Sequence, residues 1–108
     1  MAEKLDVVKE RLSGLTDEEL TKEFEEQAER VKTLDTDPSN TIKLQLYGLF
    51  KQAKEGDNET SQPGIFDPRG RAKWNAWAGE KDKQPRDAQS EYVVVVKRLF
   101  GEIEEEEE

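Results

Sequence analysis

The chain has 108 residues, of which 40% are charged and 32% hydrophobic, and it carries a net charge of −9 with neither cysteine nor histidine. This length supports one modest core, for which two Trp, two Tyr and four Phe supply large side chains. The missing cysteines and histidines exclude disulfides, His/Cys metal sites and nucleophile–imidazole pairs. We therefore expect no metal, no cofactor and no enzymatic activity.

The charge is unevenly distributed along the chain. Residues 1–41 carry 12 acidic and 6 basic side chains, residues 42–101 carry 8 and 11, and residues 102–108 include six Glu. An acidic protein is a poor candidate for nucleic-acid binding, whereas a basic middle segment can attract a small polyanion. The charged start of the chain does not resemble a signal peptide, so we expect a soluble, cytoplasmic protein.

Residues 1–15 are predicted to form an N-terminal extension. A short helix and a frayed end are both compatible with this segment, in which Gly14 is a stop signal and a helical face would hold Leu5, Val8 and Leu12. The first long helix then begins behind Thr16 and Glu19, which form a capping box. Its amphipathic spacing continues to Leu34, and it ends before Pro38.

The second long helix begins at a cap formed by Ser39 or Asn40 and runs to about Glu55, with Gly56 as a left-handed stop. A stripe about 110° from its core face, by helical geometry, holds Lys43, Tyr47, Phe50, Lys51 and Lys54. Aromatic rings can stack on a heterocycle and lysines can neutralise phosphates, so this stripe suits a nucleotide-like ligand. Alternatively, the rings pack on a neighbouring helix and the lysines only solubilise the protein.

The second half of the chain predicts a loop, two helices and a tail. Residues 57–70 contain two prolines and two glycines, which predict an irregular loop, and a short helix with Trp74 and Trp77 follows. Pro85 suits the first turn of a last helix that ends near Phe100. The run Val93–Val96 favours a strand by propensity, but the 3.6-residue period around it predicts helix. The final Glu run predicts a solvated, disordered tail.

The stretch LYGLFKQAKEGDNETSQPGIFDPRGRAKWNAW, from Leu46 to Trp77, resembles the acyl-CoA-binding protein family. The resemblance extends from about Phe24 to about Phe100, and it includes the ordered motif elements Tyr47-Gly48, Gly56-Asp57, Pro63-Gly64 and Ala76-Trp77. It implies an all-α fold, an up-down-down-up bundle of four helices. The implied acyl-CoA-binding domain covers residues 16–101, between the N-terminal extension of residues 1–15 and the acidic tail of residues 102–108.

The resemblance also implies a set of ligand-binding residues. Tyr47, Lys51 and Lys73 match family positions that hold the phosphate groups of CoA. Phe50 stands where the family commonly has a tyrosine whose ring contacts adenine, and Tyr92 matches a tyrosine that approaches the nucleotide. Three further positions line the ligand groove or lie near the acyl chain, and they correspond here to Ala28, Lys32 and Leu44. The resemblance implies neither catalytic residues nor metal ligands.

The implied function is that of a non-catalytic intracellular carrier. It would bind medium- to long-chain acyl-CoA esters one-to-one and transport them between enzymes of lipid metabolism. We expect a monomer, and the same function is compatible with transient contact with membranes or with enzymes that use acyl-CoA. The alternative is a helical protein-interaction module that has no lipid ligand.

Overall fold

The computed structural model describes residues 2–105, and within this range the chain is almost entirely helical. Its elements are β1 (Glu3–Lys4), α1 (Leu5–Ser13), α2 (Asp17–Arg30), a 3-10 turn (Val31–Thr33), α3 (Asn40–Glu55), α4 (Pro68–Ala78), α5 (Pro85–Leu99) and β2 (Ile103–Glu104). None of the helices in residues 2–105 has the length and apolar character needed to cross a bilayer.

The chain divides into two compact units. The terminal unit comprises the described residues up to Asp37 together with those from Gln89 onwards, and the central unit comprises Pro38–Ala88. The predicted helices all occur, and α1 confirms the helical alternative for the N-terminal extension. Val8 and Leu12 of α1 are fully buried, as the apolar spacing indicated.

In the terminal unit, α2 begins at the predicted capping box. The Thr16 hydroxyl accepts a hydrogen bond from the Glu19 N–H at 3.2 Å, and the Glu19 carboxylate accepts one from the Thr16 N–H at 2.9 Å. The bond from the Thr16 backbone is the main reason that the pKa of Glu19 is lowered. Leu20 and Phe24 on the predicted apolar face are fully buried.

The valine run of α5 is helical, as its periodicity predicts. Val93 and Val96 are fully buried, and Val94 and Val95 are nearly so. Strand propensity mainly reflects how β-branched side chains pack on a half-buried pleated surface. Here the same side chains are buried in a helix, so the gain from burial outweighs their modest loss of helix propensity.

The C-terminal segment corrects the sequence analysis. Ile103 and Glu104 form β2, which pairs in parallel with β1 in the register Glu3 to Ile103 and Lys4 to Glu104. Only 7% of Ile103 is exposed. The prediction of a disordered tail from residue 102 onwards is therefore wrong for residues 102–104, because Ile103 is buried and the backbone of Ile103 and Glu104 is paired. Residues 106–108 lie outside the described range.

An ion pair fastens the same segment to α2. The Arg30 guanidinium donates two hydrogen bonds to the Glu102 carboxylate, at 2.8 and 2.6 Å, and its central carbon lies 3.9 Å from the centre of the Phe100 ring. The Lys97 ammonium is 3.8 Å from the same carboxylate. The hydrogen bond from Arg30 is the main reason that the pKa of Glu102 is lowered.

In the central unit, both ends of α3 are defined by local chemistry. The Ser39 hydroxyl accepts the N–H of Ile42 at 3.2 Å, which identifies Ser39 as the cap. Gly56 ends the helix with φ 77° and ψ −153°. The sequence analysis predicted a left-handed helical conformation for Gly56. The positive φ agrees with that prediction, but the ψ value does not, because the observed combination is an extended conformation that is essentially restricted to glycine.

The predicted loop of residues 57–70 is three residues too long at its C-terminal end. α4 begins at Pro68, and the Asp67 carboxylate caps it by accepting the N–H of Gly70 at 3.0 Å. Proline suits the first turn of a helix, so Pro68 starts α4 instead of prolonging the loop. The loop is fixed to α4 by the indole groups of Trp77 and Trp74, which donate to the carbonyls of Gly56 at 2.7 Å and Thr60 at 3.0 Å.

Candidate ligand-binding site

The stripe of aromatic and basic residues on α3 lies outside the core, as the helical spacing predicts. Leu46 and Leu49 on the core face have exposed fractions of only 9% and 1%. The stripe residues are half-buried or exposed instead: Tyr47, Phe50 and Lys51 are half-buried, and Lys43 and Lys54 are exposed. The predicted acyl-chain residue Leu44 is half-buried on the same helix.

A close approach of two backbones brings α4 to this stripe. A Cβ atom added to Gly48 of α3 would lie 2.5 Å from the carbonyl oxygen of Ala76 of α4, so only glycine permits the approach. In the resulting arrangement the Lys73 ammonium lies 5.4 Å from the centre of the Tyr47 ring, within cation–π range. Two predicted phosphate-binding residues that are distant in sequence therefore meet in the central unit.

The other lysines of this surface also lie near aromatic rings. The Lys51 ammonium is 4.7 Å from the centre of the Trp77 ring, and it forms an ion pair with Glu55 one turn further along α3. The Lys54 ammonium lies 5.9 Å from the centre of the Phe50 ring. We call Tyr47, Phe50, Lys51, Lys54 and Lys73 the basic–aromatic cluster. Its combination of cations and half-buried aromatic rings suits a ligand that has both phosphates and a heterocycle.

A buried polar network supports the cluster from the core side. Gln52, which is 1% exposed, donates from Nε2 to Asp57 Oδ1 and to the carbonyl of Lys83, both at 2.9 Å. Asp57 Oδ1 also accepts the N–H of Asp82 at 2.9 Å. The bond from Gln52, followed by that from Asp82, lowers the pKa of Asp57. The network ties the end of α3 to the segment before α5.

The sequence analysis assigned no role to Gln52. Its signal is its position three residues after Leu49, because a residue at that spacing shares the core face of α3. A glutamine on a core face must find hydrogen-bond partners there, and the side chain of Gln52 does so through Nε2. Within residues 2–105, its Oε1 is buried without a hydrogen-bond partner.

Three predicted ligand-binding residues belong to the terminal unit. The Tyr92 ring packs edge-on against Phe24, with ring centres 5.1 Å apart and an interplanar angle of 78°. Tyr92 is 5% exposed, and burial raises the pKa of its hydroxyl. Lys32 is exposed in the 3-10 turn and pairs with Glu29 at 3.1 Å, while Ala28 is half-buried in α2. Tyr92 is thus a core tyrosine of this unit, and the ligand-binding roles of all three residues remain predictions.

Comparison with known proteins identifies the family. The model of the family described as acyl-CoA-binding protein matches residues 21–96. This chain belongs to the acyl-CoA-binding protein family. Its match to the acyl-CoA-binding protein of Ricinus communis is 49% identical over 83 residues, which make up 77% of this chain and 92% of that protein.

Two further members of the family extend the comparison. Acyl-CoA-binding domain-containing protein 3 of Oryza sativa subsp. japonica is 54% identical over 80 residues, but the match spans only 52% of its length. The crystal structure of Oryza sativa acyl-CoA-binding protein 2 superimposes with a TM-score of 0.74 at 47% identity, covering 77% of this chain and 90% of that one. The fold is therefore the all-α fold of this family, as the resemblance implied.

Proposed function

We propose that this protein is a carrier that binds one medium- to long-chain acyl-CoA ester and moves it between enzymes of lipid metabolism. The observation that carries the proposal is the meeting of Tyr47 and Lys73, with Lys51 on the same surface, in a member of the acyl-CoA-binding protein family. The relatives of matching length bear the name of the same ligand, and the central unit offers groups suited to its charged end.

The charged end of the ligand is assigned to the basic–aromatic cluster. Lys51 and Lys73 would neutralise the phosphate groups of CoA, and the Tyr47 hydroxyl would donate to a phosphate oxygen. The ring of Phe50 would contact adenine. A hydrogen bond to a charged group contributes about 1.5–3 kcal/mol to binding, so the loss of one lysine should lower the affinity at least tenfold.

Lys51 must exchange its partner when the ligand binds. Its ammonium pairs with Glu55, and both side chains are partly exposed to solvent. An exposed pair of this spacing is worth only about 0.3–0.5 kcal/mol. A phosphate group carries more charge than a carboxylate and offers more acceptor atoms, so it would displace Glu55 from Lys51.

The acyl chain would supply most of the discrimination between ligands. Each buried methylene contributes about 0.8 kcal/mol, so the eight methylenes that separate octanoyl from palmitoyl add at most about 6 kcal/mol. The proposal keeps the ligand-binding roles that the family resemblance implies for Ala28, Lys32, Leu44 and Tyr92. The proposal includes a monomeric, cytoplasmic protein. It also includes the absence of catalytic activity, because the chain offers neither a thiol nor an imidazole for nucleophilic or acid–base chemistry.

Isothermal titration with palmitoyl-CoA, octanoyl-CoA, CoA and palmitate tests the proposal. We expect one-to-one binding that is tightest for palmitoyl-CoA, and at least a tenfold loss of affinity in Lys51→Ala. The matched control is Lys43→Ala, which removes one exposed lysine of the same helix from outside the basic–aromatic cluster and should change the affinity much less. Glu55→Gln should strengthen binding slightly, because Lys51 would no longer have to leave its carboxylate partner.

Two results would contradict the proposal. Equal affinity for octanoyl-CoA and palmitoyl-CoA would remove the role of the acyl chain. Absence of saturable palmitoyl-CoA binding by the folded protein would show that this chain keeps the family fold without the ligand, and it would favour the protein-interaction alternative.

A further inference from the structure

The loop before α4 exposes two adjacent large apolar side chains. Phe66 is 96% exposed and Ile65 is 73% exposed. Aromatic and branched aliphatic residues are among those most often buried, so two of them projecting together from one loop differ from the usual isolated exposed residue.

The loop presents these side chains in a defined turn. The N–H of Asp67 donates to the carbonyl of Gly64 at 3.0 Å, so Ile65 and Phe66 occupy the two central positions. Glycine, proline, asparagine and aspartate are the residues that favour such positions. The local turn chemistry therefore gives no reason for isoleucine and phenylalanine at the tip.

The turn is held on both sides, so the exposure does not result from a loose loop. Before the turn, the carbonyl of Pro63 accepts a hydrogen bond from Arg71 Nη1 at 2.9 Å, and Gln62 donates to the Asn75 side chain at 3.0 Å. After the turn, Asp67 caps α4. Both apolar side chains are consequently presented on a pre-organised support.

Phe66 also lacks the contact that commonly buries a residue at its position. It directly precedes the cap residue Asp67, where an apolar side chain often packs on an apolar residue at the fourth helical position. In α4 the fourth position is Arg71, whose guanidinium instead bonds to Pro63. The fourth helical position of α4 therefore offers no apolar side chain with which to cover Phe66.

Basic residues accompany the exposed pair. Arg69 and Lys73 are both exposed and lie four residues apart on α4, so they share one helical face. Residues 38–88 carry nine basic and seven acidic side chains, whereas the remainder of the sequence carries eight basic and 19 acidic ones. The apolar turn thus belongs to the part of the chain that an anionic surface attracts.

We propose that the Gly64–Asp67 turn docks the protein on anionic phospholipid bilayers, with Ile65 and Phe66 inserted between head groups and Arg69 near lipid phosphates. Two adjacent side chains are too few for a stable protein–protein interface, which buries about 800 Å² on each partner. Shallow insertion of apolar side chains beside basic ones is the usual chemistry of a peripheral membrane contact. This inference goes beyond the proposed ligand binding and does not depend on it.

Vesicle flotation tests the inference with the full-length protein. Vesicles that contain phosphatidylserine should retain the protein weakly and reversibly, with less retention in high salt and on pure phosphatidylcholine. Phe66→Ser should lower the partition coefficient about tenfold or more, since it removes an inserted aromatic side chain. Arg69→Gln should lower it about fivefold, the contribution of one basic residue near an anionic surface.

Val7→Ser is the matched control, because Val7 of α1 is also apolar and half exposed. It should leave the partition coefficient unchanged. Equal retention of Phe66→Ser and the natural protein would overturn the inference, as would absence of retention on phosphatidylserine vesicles at low salt.

A fluorescent probe provides an independent measurement. The chain has no cysteine, so Ile65→Cys can be labelled uniquely with an environment-sensitive fluorophore while Phe66 is kept. Its emission should shift to the blue on phosphatidylserine vesicles and should be quenched by spin-labelled lipids, and an unchanged spectrum would contradict insertion. Palmitoyl-CoA titration without vesicles reports on the proposed carrier function alone, so the two proposals can fail separately.

Discussion

The two units of this protein are stabilised in different ways. The buried side chains of the terminal unit are mostly apolar, and they include a single polar one, Gln27, among the described residues; the apolar ones are Val8, Leu12, Leu20, Phe24, Tyr92, Val93–Val96 and Ile103. The central unit buries fewer apolar residues, namely Leu46, Leu49, Trp77 and Ala88, and it also buries the amide of Gln52. In the central unit, side-chain hydrogen bonds to loop carbonyls and the close backbone approach at Gly48 stabilise the structure in addition to apolar burial.

This difference indicates a division of roles. In the central unit, helix α3 has one face in the core and another occupied by the basic–aromatic cluster, so less of its surface is available for apolar packing. Directional hydrogen bonds stabilise a core that has few apolar residues, and they leave the basic–aromatic cluster uncovered. Most buried side chains of the terminal unit are apolar, and its charged residues lie at the surface.

The largest effect is expected from a cavity in the terminal unit. Phe24→Ala should lower the free energy of unfolding by about 3–5 kcal/mol, since it removes a fully buried ring that packs on Tyr92. Urea denaturation measures the change, and Val7→Ala at a half-exposed site serves as the control. A loss below 1 kcal/mol, within the range of ordinary surface substitutions, would show that apolar burial does not dominate this unit.

The corresponding change in the central unit is steric. Gly48→Ala should cost about 1–3 kcal/mol, because the new methyl group would meet the Ala76 backbone, which cannot rotate away as a side chain can. The control is Gly64→Ala, where an added methyl group meets open space. Thermal unfolding of both variants provides the measurement, and equal stabilities would refute the close approach of α3 and α4.

The buried network should show a smaller effect. Gln52→Leu keeps the side-chain size but removes the donor to Asp57 and to the Lys83 carbonyl, at a cost of about 1–2 kcal/mol. The pKa of Asp57 should rise towards its ordinary value, since its main cause of lowering is lost. Denaturation and an NMR titration of Asp57 measure the two effects. Gln62→Leu at an exposed site is the control, and an unchanged Asp57 pKa would contradict the network.

The smallest effect is expected at the ion pair of the terminal unit. Both side chains are about one-third exposed, so Glu102→Gln should cost less than about 1 kcal/mol. The pKa of Glu102 is lowered in the folded protein, so its contribution is present above the ordinary value of 4.5 and is lost as pH falls through the folded pKa.

Melting temperatures at neutral and acidic pH test this sign. The difference between Glu102→Gln and the natural protein should be present at neutral pH and should disappear in acid. Glu104→Gln, which removes a carboxylate at an exposed position of β2, is the matched control. A difference that grows in acid would contradict the assigned cause of the pKa shift.

The amino-acid sequence alone determined the helices and their main boundaries. Local chemistry explains this success: the capping box at Thr16, the cap at Ser39 and the proline at position 85 act within one helical turn. The periodicity around Val93–Val96 correctly overrode strand propensity, because burial favours whichever structure places apolar residues on one face. The family, too, was correctly predicted from the ordered motif between Leu46 and Trp77.

Only the tertiary structure decided how residues distant in sequence meet. The pairing of β1 with β2 joins the two ends of the described chain, and the bond between Arg30 and Glu102 joins α2 to the C-terminal segment; no local pattern encodes either contact. The same holds for Tyr47 and Lys73, since their distance depends on the backbone contact at Gly48. Helical spacing defines which face a residue occupies, whereas the partner of that face is chosen by packing across the whole chain.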